Sequence, residues 1–232
     1  MKNSSIVWAA CLLLAGCGGG GGGDDDAGAP ADTVYNVAAA NHNFLNVPQS
    51  WTTTGTASNV EFTFGVATLA MIDGVFKLTG QSSARVTQTV SFGATGVTPE
   101  SSSVIAYFNK TSDALIGAYD SQDDSCTRVD SNGALPTTAR IGNSGPLSTS
   151  STLNGCTSGS AVTATDVTTW SLETDQGVVL VCQNSVVSTV GSSSPDTLNL
   201  CIETAPDGTL GKRARFSITS PSVSLALVTR NY

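Results

Sequence analysis

Few side chains in this chain could do chemistry. His42 is the only histidine, so any Ser-His-Asp relay would have to pass through it. It lies in Asn41-His42-Asn43-Phe44, and the chain contains no G-x-S-x-G nucleophile turn. Its spacing marks it as a polar residue at the edge of a domain. Glu61, Glu173 and Glu203 are the candidates for a hydrolytic carboxylate pair. Each alternates with apolar neighbours, a pattern that turns the carboxylate toward solvent. Asp120, Asp123 and Asp124 crowd into Asp120-Ser-Gln-Asp-Asp-Ser125 and supply the oxygen ligands that a hard cation takes. The segment lacks the glycine and distal glutamate of an EF-hand loop, and a polar turn held by Asx hydrogen bonds is the competing reading. Lys212, Arg213 and Arg215 form the basic cluster, with Arg213 and Arg215 on one strand face. They suit a glycan or anionic lipid, or they pair across a hairpin with Glu203 or Asp207. Trp51 and Trp170 could stack on sugars, although Trp170 shares a face with Leu172 as a core residue does. These residues assemble no catalytic set, so the expectation is a non-enzyme with no cofactor and no metal.

The N-terminus carries the most specific signal. Lys2 precedes an apolar run from Ile6 to Leu14, which is followed by Leu14-Ala15-Gly16-Cys17. The apolar run would span about 14 Å as a helix, too short to cross a bilayer. Charge, short apolar core and small residues before a cysteine resemble the signal peptide and lipobox of bacterial lipoproteins. The resemblance covers residues 1–17. It implies that residues 1–16 are removed, that Cys17 carries acyl chains including palmitate, and that the membrane is a partner through that anchor. By the sorting rule of that family, Gly18 after the cysteine, rather than Asp, implies the outer membrane.

Residues 18–33 hold six consecutive glycines, Gly18 to Gly23, then Asp24-Asp25-Asp26 and an Ala/Gly/Pro stretch. Such a composition cannot bury a core. With Cys17 it reads as a tether (17–33) with a reach on the order of 20–25 Å. The folded part is then 34–232.

An exported domain sets the context for the remaining cysteines. Cys11 leaves with the leader and Cys17 is the anchor, so Cys126, Cys156, Cys182 and Cys201 remain. An even number in an oxidising compartment reads as two disulfides. Of three pairings, Cys126–Cys156 and Cys182–Cys201 are preferred, the second joining two neighbouring strands. No C-x-x-C spacing occurs and His42 is remote, which argues against zinc.

Composition narrows the class further. Charged residues are 12% of the chain, about half the usual share, and Ser, Thr, Asn and Gly stand in their place. Removing Lys2 with the leader leaves nine basic against eighteen acidic side chains, a formal −9. That balance excludes a nucleic-acid footprint. Abundant β-branched residues favour an all-β domain.

The elements that must position the candidates are short strands. Val60–Val66 alternates, with a slip of phase near Ala67 that predicts a bulge, and Asp73-Gly74 predicts a hairpin turn with Val75–Thr79 returning. Arg85–Phe92 places Val86, Val90 and Phe92 on one face. Ser103–Phe108 and Ala114–Tyr119 are apolar on both faces. Residues 120–165 read as loop with short strands. Thr168–Thr174, Val178–Gln183, Leu198–Glu203, Lys212–Thr219 and Val223–Thr229 complete the series, with turns at Gln176-Gly177 and Asp207-Gly208. About ten or more strands predict an antiparallel β-sandwich or open barrel with two disulfides. Two small stacked β-subdomains divided near 110–150 are the alternative organisation. Tyr232 after an alternating strand is also a feature of outer-membrane barrels, but strands this few and short, with two disulfides, argue against one. The functional expectation is an envelope lipoprotein acting through a protein partner or as surface structure. A glycan-binding module is the alternative, and a carboxylate-dependent hydrolase stands behind that.

Overall fold

The computed structural model describes residues 32–221 and 225–232. The leader, Cys17 and the tether up to residue 31 lie outside the described residues. The chain enters through a helix, α1 (Val37–Asn46), and then forms β1 (Gln49–Ala57), β2 (Val60–Thr68), β3 (Ile72–Val75), β4 (Ser82–Ala94), β5 (Glu100–Phe108) and β6 (Leu115–Asp120). β7 (Ser125–Asn132), β8 (Ser144–Leu153), β9 (Val162–Asp175), β10 (Val178–Thr189), β11 (Asp196–Thr204), β12 (Leu210–Ser220) and β13 (Leu225–Arg230) follow.

Neighbours in sequence pair antiparallel around the sheet, and β13 meets β1, with Thr54 opposite Arg230. β2 and β3 share one edge of β4, β2 along Gln88–Ala94 and β3 along Ser82–Arg85. The sheet therefore closes into a barrel of twelve strand positions. The all-β class and both disulfides stand as expected. The sandwich or open barrel is replaced by a closed one, and the same sheet runs unbroken through 110–150. Closure satisfies the edge hydrogen bonds that an open sheet would leave for another chain.

Three local expectations change, and two elements form where no element was expected. Asp73-Gly74 lies within β3 instead of turning the chain, which reverses after Phe76, whose carbonyl accepts from the Gly80 amide. Residues 120–165 hold all of β7 and β8 and the start of β9. Both α1 and β1 lie in sequence with no regular apolar alternation. The phase slip near Ala67 corresponds to the break between β2 and β3.

The register sorts inward from outward side chains. One arc of the inner wall, from β11 through β13, β1 and β2 to β4, is apolar. Phe64, Val66, Val90 and Phe216 form its core, with Phe92, Leu198, Leu200 and Ile218 against them. Phe64 and Phe216 stack with ring centroids 3.5 Å apart. They reach each other over the small Thr53 and Thr229, whose hydroxyls lie 2.5 Å apart. The other arc, from β7 to β10, turns Ser150, Thr152, Asp166, Thr168 and Ser185 inward, all buried. The outward face carries exposed Thr52, Thr54, Thr56, Thr165 and Thr219. Twelve strands are enough for a membrane barrel, but these exposed hydroxyls and the Arg215–Glu173–Asp175 ion pairs interrupt the outer face, where a lipid-facing wall carries a continuous apolar band.

Both disulfides sit on the outer surface of the wall. Cys126–Cys156 joins Phe76 and Tyr107 in a satellite cluster seated on Gly117, where a Cβ would collide with Phe76 and the Thr127 carbonyl. Cys182–Cys201 bridges directly opposed residues of β10 and β11 beneath Arg215.

Candidate functional site

Asn36 starts α1 by accepting the Ala39 amide at 2.9 Å, which satisfies one of the helix's free N–H groups. Val37, Ala40, Phe44 and Leu45 fall on one helical face and are buried. Phe44 and Leu45 pack with Val86, Val104, Phe108 and Ile202, and Phe44 stacks on Trp51 at 5.9 Å. The helix thus seats in one mouth of the barrel. It is fastened there by backbone bonds from Asn36 to Pro206 (2.9 Å) and from Ala38 to Pro136 (3.0 Å). The Asn43 side-chain amide donates to the Gly208 carbonyl at 2.9 Å. Gly208, at φ +87°, is pressed so closely on Ala39 and Ala40 that any side chain would push the helix out.

His42 faces away from the core. Its Nδ1 lies 2.5 Å from Asp113 Oδ2, in the turn between β5 and β6, and 3.2 Å from the Asn46 amide nitrogen. The Asn46 amide also donates to the His42 carbonyl at 2.9 Å. That turn is built by Asn109, whose Oδ1 accepts from the amides of Thr111 (2.9 Å) and Ser112 (3.2 Å). It delivers Asp113 in the left-handed region, φ +53°, which Asp tolerates better than most residues. A carboxylate only accepts, so His42 Nδ1–H is the donor in this contact.

Beside this clamp, between α1 and the ends of β5 to β8, lies a pocket of about 340 Å³. Phe108, Leu115, Leu135 and Leu147 supply its apolar surface. Asn41, Ser112, Asp113, Asn132 and Ser148 supply its polar groups. Its size and mixed lining suit a small molecule, and the mouth of a barrel is a common place for such a site.

The residues singled out by sequence do not meet there. Asp120 points inward and is buried, its Oδ1 accepting from the Gln122 amide at 2.8 Å, and burial raises its pKa. Asp124 points outward to Lys77 (2.6 Å) and to the Tyr119 hydroxyl (3.1 Å), and the hydrogen bond from Lys77 lowers its pKa. Asp123 is exposed. The three carboxylates therefore do not converge on a cation. Asp120 makes the expected Asx turn instead, and Lys77 draws Asp124 away. Among the described residues, the group of three ligating types drawn closest together is Glu173, Cys182 and Cys201, and both cysteines are joined in the disulfide.

Of the hydrolytic candidates, Glu61 is exposed on β2. Glu203 accepts from Arg213, and Glu173 accepts from Arg215 at 2.6 Å. Trp51 is buried with its indole N–H donating to the Gly211 carbonyl at 3.1 Å, and Trp170 is buried beside Leu172. Arg215 pairs with Glu173 and Asp175 instead of Asp207, which caps its own turn through the Thr209 amide. Asp175 also accepts from Arg230 (2.8 Å) and the Tyr232 hydroxyl (3.0 Å). Burial opposes the Asp175 carboxylate, but these donors outweigh it and hold its pKa below the usual range. Burial, reinforced by Asp175, pushes Tyr232 up to about 12. This network ties the closing strand to β9 and leaves its basic residues committed to partners.

Sequence reasoning found His42 but not its partner, because a separation of 71 positions along the chain hides the contact. It missed Asp166 altogether. That carboxylate is buried in the hydroxyl arc, accepts from Ser185 (2.8 Å) and Thr168 (3.4 Å), and keeps Oδ1 without a partner. Burial pushes its pKa up to about 7. Searches of family models, curated proteins and solved structures found no match to the chain.

Proposed function

We propose that this chain is an envelope lipoprotein, held to the outer membrane by acylated Cys17, whose barrel binds a small ligand without transforming it. The 340 Å³ pocket at the α1 mouth is the observation that carries the binding half of this reading. A closed wall with two disulfides gives that pocket a rigid frame, which limits the ordering cost of binding. The lipobox residues Leu14-Ala15-Gly16-Cys17 carry the anchoring half. The glycan alternative has lost its two tryptophan platforms to the interior. The hydrolase alternative has its three glutamates spread over the outer face, two of them engaged by arginines.

Each half has its own test. Metabolic labelling with palmitate is expected to mark the wild type and not Cys17→Ser. Equal labelling contradicts the anchor. A fragment library screened by thermal shift is expected to give hits on the folded domain that Ala134→Phe removes, since Ala134 is exposed on the pocket rim. Hits that persist in the filled variant place binding elsewhere.

A further inference from the structure

The lining of the mouth pocket holds one charged group among neutral polar ones. Asn132 places one N–H of its amide on the Leu115 carbonyl at 2.9 Å, which leaves its Oδ1 acceptor and its second N–H. Asp113 spends Oδ2 on His42 and retains Oδ1. The Ser112 hydroxyl already accepts from the Ala114 amide at 3.4 Å. Asp113 is the one charged residue in the lining. Lys110 belongs to the same turn but pairs with Asp73 on β3, so it does not neutralise Asp113. The pocket therefore holds one negative charge, at Asp113, beside neutral groups that can both donate and accept, above an apolar surface and on a chain whose formal charge is −8.

Resting on the binding role proposed above, we infer that the pocket takes a small organic cation, a primary ammonium on a short apolar body. An ammonium carries three donors and no acceptor, so it can reach the open Oδ1 of Asp113, the Oδ1 of Asn132 and a hydroxyl oxygen together. Its charge meets Asp113, and the N–H···O⁻ bond it makes is of the stronger, charge-assisted kind. The body covers Phe108, Leu115, Leu135 and Leu147. A carboxylate or phosphate would meet the Asp113 carboxylate, whose partner His42 lies on its other oxygen, and no Lys or Arg lines the pocket. A neutral alcohol of the same shape would cover the same surface but forgo the ionic contact.

Isothermal titration of the folded domain with phenethylammonium, 2-phenylethanol, phenylacetate and methyl glucoside tests this. Phenethylammonium is expected to bind, and both Asp113→Asn and Ala134→Phe are expected to weaken it. For Asp113→Asn the loss should be about ten-fold or more, the size of a hydrogen bond to a charged group. Asn keeps the shape and tolerates the left-handed backbone, so the variant folds, and its melting temperature checks that. If an alcohol, carboxylate or glucoside binds as well as the ammonium and is displaced by Ala134→Phe, the pocket reading stands and the ammonium inference falls. If no probe binds in a way that Ala134→Phe removes, both fall. Phenethylammonium binding that Asp113→Asn leaves unchanged also overturns the inference.

Discussion

The two arcs of the barrel interior solve the same packing problem with opposite chemistry. Between β11 and β4 the inner face is Phe, Leu, Ile and Val, closed by the Phe64–Phe216 stack. Between β7 and β10 it mixes Ser, Thr and Asp, with hydroxyls bonded to one another and to Asp166, and an apolar patch of Trp170, Leu172 and Val181 packed under the α1 region. Burying apolar area stabilises at about 25 cal/mol per Å², whereas a buried hydroxyl at best exchanges one hydrogen bond for another. The apolar arc is therefore expected to contribute more to stability than the hydroxyl-bearing stretch of β8 and β9, which runs through Ser148 to the mouth pocket. The proposed binding site thus opens from the arc whose interior is the more polar of the two.

That division can be broken by mutation. The largest effect is expected at Phe216→Ala, which removes the buried ring from the stack and should cost about 3–5 kcal/mol in urea unfolding. Ser150→Ala, a buried change on the opposite arc, should cost less than about 1 kcal/mol. Equal losses at the two sites would erase the distinction.

Asp166 comes next and separates the arcs by pH. Its pKa stands at about 7 in the folded barrel against an ordinary value near 3.9, so the folded state holds the proton more tightly. Its contribution is fully favourable below about pH 4 and is lost as pH rises through about 7. The decline is on the order of 3–4 kcal/mol between pH 4 and pH 8, using 1.36 kcal/mol per unit of pKa. Asp166→Asn should flatten that part of the profile and leave the variant more stable than wild type at pH 8. An unchanged slope would show that Asp166 does not titrate in this range.

The Cys182–Cys201 bridge closes a loop of 19 residues and should contribute about 3 kcal/mol, read as the loss in the double Ser variant. That loss should leave the affinity of the mouth pocket unchanged, because the bridge lies outside the wall. The smallest effect is expected at Thr53→Val, which removes the Thr53–Thr229 hydroxyl pair from the apolar arc and should cost about 1 kcal/mol.

The same contrast explains what could be read from the residues alone. Arg85–Phe92 and Leu198–Glu203 were legible because their inward positions are apolar and their outward ones polar. On β7 and β8 both faces are hydroxyl-bearing, so Ser150 inward and Ser151 outward look alike, and residues 120–165 read as loop. β1 hid for a related reason, since Thr53 inward sits between Thr52 and Thr54 outward. Without β1 the partner of β13 is missing and closure of the sheet cannot be inferred. The Cys182–Cys201 pairing was legible from strand adjacency. The pocket was not, because Asn41, Asp113, Asn132 and Ser148 come from four separate elements whose meeting depends on α1 seating in the barrel mouth.

An amide chemical-shift map of the folded domain titrated with phenethylammonium tests the division of labour most directly. The account predicts shifts confined to residues 38–42, 108–115, 132–135 and 147–148, with the amides of Phe64, Phe216 and Leu227 unmoved. Shifts centred on the apolar arc, or no saturable shifts at the mouth, would contradict it.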